Sequence, residues 1–228
     1  MKLIRLNKFI ADSGHTSRRK ADELIFKGKI QVNGKTVFNH LFINPQKDKI
    51  QIGGQPLNIE SKKVYYLFNK PKGYCCTKEK NKKNIYSFFS SVPYRIFSIG
   101  RLDKETTGLL LLTNDGHFAN KIIHPSYQVS KEYLVKVQEF IYPDHLKKIS
   151  EGIEIDGQFI KPKKIKKLRK GTVKITVMEG KKHEIRLLIK NAKLTLLELK
   201  RVRLGSLHLG SLPEGSFRPL TDNEILSF

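Results

Sequence analysis

The pattern of apolar residues changes at a polar link, residues 60–63, and this change limits the chain to a fold with two parts. Before the link, apolar residues recur at helical spacing and then alternate over short stretches. Beyond it, most apolar residues fall into short runs typical of strands, with helical segments between them. Because these segments lack the regular spacing of βαβ units, we predict an α+β fold rather than a doubly wound sheet. We place the domains at residues 1–60 and 61–228.

The first domain is predicted to contain two short helices followed by strands. Leu6, Phe9 and Ile10 have helical spacing, and Ser17 is placed to cap a second helix. Asn33-Gly34 between alternating residues is a strong hairpin signal. These segments predict a compact basic module.

Three cations, Arg18, Arg19 and Lys20, occupy the first turn of the second predicted helix. The helix dipole favours anions at this end, which suggests that a bound anion compensates their charge. A solvated charged turn would explain the same residues. The sequence leaves both interpretations open.

The second domain is predicted to alternate between strands and helices without an internal repeat. A basic run at 161–170 lies among short strands and is interpreted either as an RNA-backbone contact or as a charged hairpin edge. The predicted strands are residues 64–68, 96–99, 109–113, 131–137 and 194–203, and the predicted helices are 118–123, 143–150 and 183–191.

The net charge points to a polyanionic partner. The chain has 44 Lys and Arg against 21 Asp and Glu, which gives +23. The excess is present in both predicted domains, whereas a membrane-surface protein usually concentrates its charge on one helix or terminal run. Nucleic acid is therefore the first candidate, but charge alone does not separate RNA from DNA.

Several other classes of protein are disfavoured. The longest apolar stretch, 109–112, is far too short for a membrane span. Cys75 and Cys76 are adjacent and do not suggest a disulfide framework or, with the scattered His residues, a zinc site. We expect a cytoplasmic protein without metal, small-molecule cofactor or membrane partner.

The segment 100–116 carries the best candidate for chemistry. Asp103 lies between Arg101 and Lys104 in a Gly-bounded loop that leads into a buried strand. Nearby cations keep such a carboxylate ionised, so it can act as a nucleophile or base. A plain Arg–Asp ion pair in a loop is the alternative.

This segment, Gly100-Arg101-Leu102-Asp103 through Thr106-Thr107-Gly108 to Thr113-Asn114-Asp115-Gly116, resembles the signature of pseudouridine synthases of the RsuA/RluB type. Residues 5–52 resemble the S4 RNA-binding domain that precedes the catalytic domain in that family. Further matching stretches occur in the same order along nearly the whole chain: 69–73, 131–135, 179–181, 185–186 and 201–205.

The resemblance implies an S4-like module, a mixed and mostly antiparallel sheet with flanking helices, and isomerisation of a uridine in ribosomal RNA to pseudouridine. Asp103 would attack the anomeric carbon or remove a ribose proton, and Arg186 would pair with it. Tyr133 would stack on the flipped base and assist removal of the C5 proton. RNA contacts are expected from Arg18, Arg19, Lys20, Arg101, Lys181 and Lys182.

The partner is expected to be ribosomal RNA, of the large subunit first, or a ribosomal precursor particle, bound by a monomer. His183-Glu184 and Leu187-Leu188 depart from the Arg-Gln and Arg-Met that are common around Ile-Arg in the family. This puts the RNA contacts in doubt, though not Arg186. The alternative function is an inactive RNA-binding assembly factor. A glycosidase would need a second placed carboxylate, which the sequence does not supply.

Overall fold

The computed structural model describes residues 3–78, 82–155, 157–181 and 183–228. The chain divides into two compact units. The first comprises residues 1–64 with 92–97 and 114–116, and the second comprises 65–91, 98–113 and 117–228. Within the described ranges, no helix is long and apolar enough to cross a membrane.

The first unit contains two helices and two small sheets. Strands β3-β2-β5-β6 form one sheet, and β1 pairs with β4 to form the other. The elements are β1 (Ile4–Arg5), α1 (Leu6–Asp12), α2 (Arg18–Phe26), β2 (Ile30–Val32), β3 (Lys35–Val37), β4 (Phe42–Ile43), β5 (Ile50–Ile52) and β6 (Gln55–Pro56).

Local sequence determines where these helices and strands end. The Ser17 hydroxyl accepts a hydrogen bond from the Lys20 backbone N–H at 3.2 Å and caps α2. Asn33 and Gly34, with φ of +52° and +78°, form the predicted turn of the β2–β3 hairpin. The predicted apolar residues of α1, Leu6, Phe9 and Ile10, are all buried in the core of this unit. The predicted two helices and hairpin are confirmed.

The second unit is built on a nine-stranded sheet flanked by helices. The strands of this unit are β7 (Tyr65–Lys70), β8 (Phe97–Ile99), β9 (Thr107–Thr113), β10 (Lys131–Val137), β11 (Ile153–Ile155), β12 (Gln158–Ile160), β13 (Lys164–Arg169), β14 (Thr172–Val177), β15 (Leu196–Leu204), β16 (Leu207–His208) and β17 (Phe217–Pro219). Its helices are α3 (Gly116–Ile123), α4 (Pro143–Glu151), α5 (Glu184–Asn191) and α6 (Asp222–Leu226), and the 3₁₀ helices are Ile85–Phe89 and Pro125–Tyr127. Strands β11 and β12 form a separate hairpin.

The main path of the sheet runs β13-β14-β10-β15-β9-β7-β17, with β8 beside β9 and β16 beside β15. Neighbours along this path pair antiparallel except β15 and β9, which are parallel. The predicted α+β class and mixed, mostly antiparallel sheet are thus confirmed. Residues 109–112 of β9 are at most 1% exposed, so the apolar run lies in the core.

The basic run at 161–170 includes β13, which forms one edge of the main path of the sheet. Charged side chains on an edge strand oppose pairing with other chains. The structure therefore contains the sheet edge that the interpretation as a charged hairpin edge requires. Contact of this run with RNA stays a prediction.

Candidate active site

A cleft of about 960 Å³ opens in the second unit. Its walls come from the loop 100–106, from β10 and β15, and from the beginning of α5. Asp103, Tyr133 and Arg186, which lie far apart in the sequence, all line it. The sheet thus brings together the three side chains for which the sequence predicts catalytic roles.

The side chain of Lys70 holds the loop that carries Asp103 through hydrogen bonds to backbone carbonyls. This lysine lies at the end of β7, is fully buried, and donates to the carbonyls of Pro71, Lys104 and Thr106 at 3.0, 3.2 and 2.9 Å. Burial lowers the pKa of the Lys70 ammonium. Since two of the three acceptors lie within three residues after Asp103, Lys70 limits the movement of that loop.

The carboxylate of Asp103 faces two basic side chains of the α5 region. Its Oδ2 lies 3.4 Å from Nε of Arg186, and its Oδ1 lies 3.5 Å from Nε2 of His183. Nη2 of Arg186 donates to the Thr106 hydroxyl at 3.1 Å. The predicted pairing of Asp103 with Arg186 is present, and the second contact orients the guanidinium. A side-chain exposure of 41% leaves Asp103 open to a substrate.

Tyr133 lies on β10, 8% exposed, directly opposite Arg201 of β15 in the sheet. Burial raises the pKa of the Tyr133 phenol, and the charge of Arg201 opposes that rise. Tyr133 is therefore a neutral phenol at neutral pH. Its ring lines the cleft, where it can contact a base.

Glu184, the first residue of α5, is a second carboxyl group in the cleft and is 5% exposed. Burial raises its pKa to about 7, and the charge of Lys131 opposes that rise. Burial in turn lowers the pKa of Lys131, whose ammonium donates to backbone carbonyls of Val129, Met178 and Glu179. Glu184 is thus partly protonated near neutrality.

We expect Glu184→Gln to stabilise the protein at pH 8 and to leave stability at pH 5 almost unchanged. The folded state raises the pKa of Glu184 from 4.5 to about 7, so it binds more protons than the unfolded state in that window. Stability is therefore lost as the pH rises from about 5 to 8, by at most about 3 kcal/mol. Thermal unfolding of both proteins at the two pH values measures the gain.

Glu198→Gln is the matched control, because Glu198 is 62% exposed and pairs with Lys136 on the surface of the same unit. A Glu184→Gln protein with the same pH dependence of stability as the parent would contradict the prediction.

Comparison with known proteins identifies the family. A sequence profile described as RNA pseudouridylate synthase matches residues 64–191, more than half of the chain. The chain belongs to the RNA pseudouridylate synthase family. A second profile, the S4 domain, matches residues 4–37, so the predicted S4 module is confirmed.

Relatives align with this synthase over almost its full length. Ribosomal large subunit pseudouridine synthase B of Bacillus subtilis is 38% identical over 97% of this chain and 93% of its own. The dual-specificity RNA pseudouridine synthase RluF of Escherichia coli is 34% identical over 98% of this chain and 77% of its own. A crystal structure of a pseudouridylate synthase aligns with a TM-score of 0.72 at 32% identity, covering 98% and 99% of the two chains. The predicted family and isomerase activity are confirmed.

The residues predicted to contact RNA occupy different parts of the synthase. Arg101 is exposed beside the cleft. Lys181 also lines the cleft, but its ammonium pairs with Glu179 at 2.8 Å and donates to the Phe159 carbonyl at 2.7 Å. Lys182 lies outside the described residues.

The predicted RNA-binding cations of the first unit form the first turn of α2. Arg18, Arg19 and Lys20 are exposed, as both sequence interpretations require. Lys20 is paired with Glu23 at 2.6 Å. Binding of RNA by these residues stays a prediction.

Sequence reasoning missed several polar residues of the cleft, among them Thr106, Lys131, His183 as a contact of Asp103, Glu184 as a buried carboxyl, and Arg201. The only available signal was that three of them fall within stretches that match the family. Their surroundings depend on pairing between distant strands and on the packing of α5 over the sheet. Among the described residues, no group of three or more His, Cys, Asp or Glu side chains is arranged to hold a metal ion.

Proposed function

We propose that this synthase isomerises a specific uridine of ribosomal RNA, of the large subunit first, to pseudouridine with Asp103 as the reacting carboxylate. The observation that carries the proposal is the exposed Asp103 carboxylate held between Arg186 and His183 in a cleft that Tyr133 also lines. The relative named as a ribosomal large subunit enzyme supports the choice of substrate class.

The proposed reaction rearranges bonds without a net gain or loss of atoms. The bond between N1 of uracil and C1′ of ribose breaks, and its electron pair leaves with the base. The detached ring turns, C5 forms the new bond to C1′, and C5 loses its proton while N1 gains one. Asp103 either attacks C1′ or removes a ribose proton, and Arg186 orients its carboxylate in both routes.

The Tyr133 ring is placed to stack on the base within the cleft. Since burial raises the pKa of its phenol, Tyr133 acts on C5 as a hydrogen-bonding group rather than as a preformed phenolate. Glu184, with a pKa of about 7, is a second group in the cleft that can exchange a proton near neutral pH.

Access to the cleft requires the target nucleotide to leave its stack, at a cost of a few kcal/mol. Contacts to the RNA backbone elsewhere offset this cost. The exposed cations of α2, with Arg101 at the cleft and the basic run 161–170, are the proposed sources of such contacts.

Replacing Arg18, Arg19 and Lys20 together with Ala should weaken RNA binding and flatten its dependence on salt. Each lost phosphate contact removes roughly one unit from the slope of log affinity against log salt, so we expect a loss of about two to three units. The turnover rate at saturating RNA should change less than about threefold, since Asp103 belongs to the other unit. Binding titrations at several salt concentrations measure the slope.

The matched control replaces Lys35, Lys47 and Lys49, which are exposed in the same unit and carry the same charge. Its slope should change by less than about one unit. An unchanged slope in the α2 triple variant would assign these cations to a solvated turn and shift attention to the run 161–170.

The proposed function is tested by incubating the purified protein with unmodified transcripts of large- and small-subunit ribosomal RNA and mapping pseudouridine in each. One new pseudouridine in the large-subunit transcript, absent with Asp103→Asn, is the expected result. Modification of the small-subunit transcript alone would correct the target. If neither transcript is modified, the same incubation with precursor particles follows, and no pseudouridine there either would support the alternative of an inactive assembly factor. Action as a cytoplasmic monomer stays a prediction.

A further inference from the structure

Arg201 is a buried cation, and its contacts with the surrounding protein do not require a charged side chain. It lies on β15, is 3% exposed, and donates from Nε to the carbonyl of Leu109 at 2.7 Å. Its Nη2 is buried and has no hydrogen-bond partner among the described residues. In the same part of the chain, no carboxylate lies within ion-pair distance of it.

A buried charge without a counter-ion is costly, because the protein interior replaces its hydration poorly. The hydrogen bond to the Leu109 carbonyl and the side-chain hydrogen bond with Tyr133 need a donor but not a charge. Costly buried charges in a cleft cluster at functional sites. The position of Arg201 in the fold indicates what its positive charge does.

Arg201 lies beneath the cleft between two residues of neighbouring strands. Tyr133 is opposite it on β10, and Gly108 is opposite it on β9. Gly108 has φ of +101°, and a Cβ there would lie 2.2 Å from the Arg201 carbonyl oxygen, so only glycine allows this approach. The strand that follows the Asp103 loop is thus packed directly against Arg201.

Two cations, the buried Arg201 and the half-buried Lys131, line the cleft near Tyr133. Lys131 lies two residues from Tyr133 on β10, and Glu184 faces both residues from α5. Glu184, with a pKa of about 7, is partly ionised beside these two cations, and Glu179 and Asp103 are the further carboxyl groups that act on Lys131 and Tyr133. The charge of Arg201 also lowers the pKa values of Tyr133 and Cys76 against the effect of burial, so it acts on groups that line the cleft.

The proposed reaction creates negative charge at this place. When the bond from N1 to C1′ breaks, the electron pair stays on the uracil ring and spreads to its carbonyl oxygens. We infer that Arg201 stabilises this detached anionic ring from beneath Tyr133, as a fixed charge aimed at the transition state. This inference rests on the proposed function and holds for either route of Asp103.

Arg201 acts here as a positioning residue through its charge, since the side chain is 3% exposed and its Nη2 is buried. A fixed positive charge in a site with little water does not have to reorient when negative charge develops on the base. In such a site the charge of Arg201 can stabilise that negative charge even with the Tyr133 side chain between them.

The test compares single-turnover cleavage of the N-glycosidic bond in RNA that carries uridine or 5-fluorouridine at the target position. Fluorine withdraws electrons and stabilises the uracil anion, so the fluorinated base needs less help to leave. Arg201→Gln should slow the uridine substrate about 100-fold and the 5-fluorouridine substrate less than about tenfold. RNA affinity should stay within about threefold of the parent.

Arg201→Lys keeps the charge and should stay within about tenfold of the parent on both substrates. Arg203→Gln is the matched control on the same strand: Arg203 pairs with Glu132 and does not line the cleft, so both rates should be unaffected. Thermal unfolding establishes that each variant is folded, and if Arg201→Gln is not, Arg201→Lys decides.

Equal losses on the two substrates, no loss with Arg201→Gln, or a folded Arg201→Lys protein slowed more than about 100-fold would each overturn the inference. These outcomes are distinct from failure of the proposed function, in which Asp103→Asn retains activity or the parent makes no pseudouridine.

Discussion

Asp103→Asn is expected to abolish pseudouridine formation while RNA affinity stays within about threefold. The carboxylate is the group proposed to react with the ribose, and an amide is neither a nucleophile nor a base of comparable strength. Loss of a reacting group costs many powers of ten, so residual turnover should lie below about 1% of the parent. Isomerisation of a ribosomal RNA fragment and binding of the same fragment measure the two quantities.

Glu105→Gln is the matched control for this variant. Glu105 lies two residues further along the same loop, pairs with Lys72 at 3.4 Å and does not line the cleft. Glu105→Gln removes one negative charge from the loop, as Asp103→Asn does, and should leave turnover within about threefold of the parent. Turnover above about 1% in Asp103→Asn would remove Asp103 from the reaction.

Arg186→Gln should lower the turnover rate about 100-fold at saturating RNA. It removes the cation 3.4 Å from Asp103 and the donor to Thr106, so the carboxylate loses the group that orients it. Misplacement of a reacting group by about 1 Å costs about that factor. Single-turnover rates at saturating RNA separate this effect from weaker binding.

Arg186→Lys should recover only part of the rate, because an ammonium keeps the charge but cannot contact Asp103 and Thr106 in the planar geometry of guanidinium. Lys190→Gln, at an exposed position of α5, is the control and should behave as the parent. Equal rates in Arg186→Gln and the parent would contradict the positioning role of Arg186.

Local patterns in the sequence were sufficient to predict most of the secondary structure. The spacing of Leu6, Phe9 and Ile10, the Ser17 cap and the Asn33-Gly34 turn depend on interactions within a few residues, and all three appear as predicted. The strand pairing was less accessible. Nothing local shows that β15 returns to lie parallel to β9, and this pairing brings Arg201 under the cleft.

The candidate site was partly predictable for a related reason. Asp103, Tyr133 and Arg186 were located by motifs, and the structure brings them into one cleft. The acidity of Glu184 depends on burial, which arises only when α5 packs over the sheet. The sequence does not show that Glu184 is buried, so its pKa of about 7 could be inferred only from the structure.

Mapping pseudouridine across the ribosomal RNA of cells that lack this protein tests the central claim most directly. We predict that one pseudouridine of the large-subunit RNA disappears, that the intact gene restores it, and that the Asp103→Asn gene does not. An unchanged pseudouridine map in the deletion cells, or restoration of the lost site by Asp103→Asn, would contradict the account.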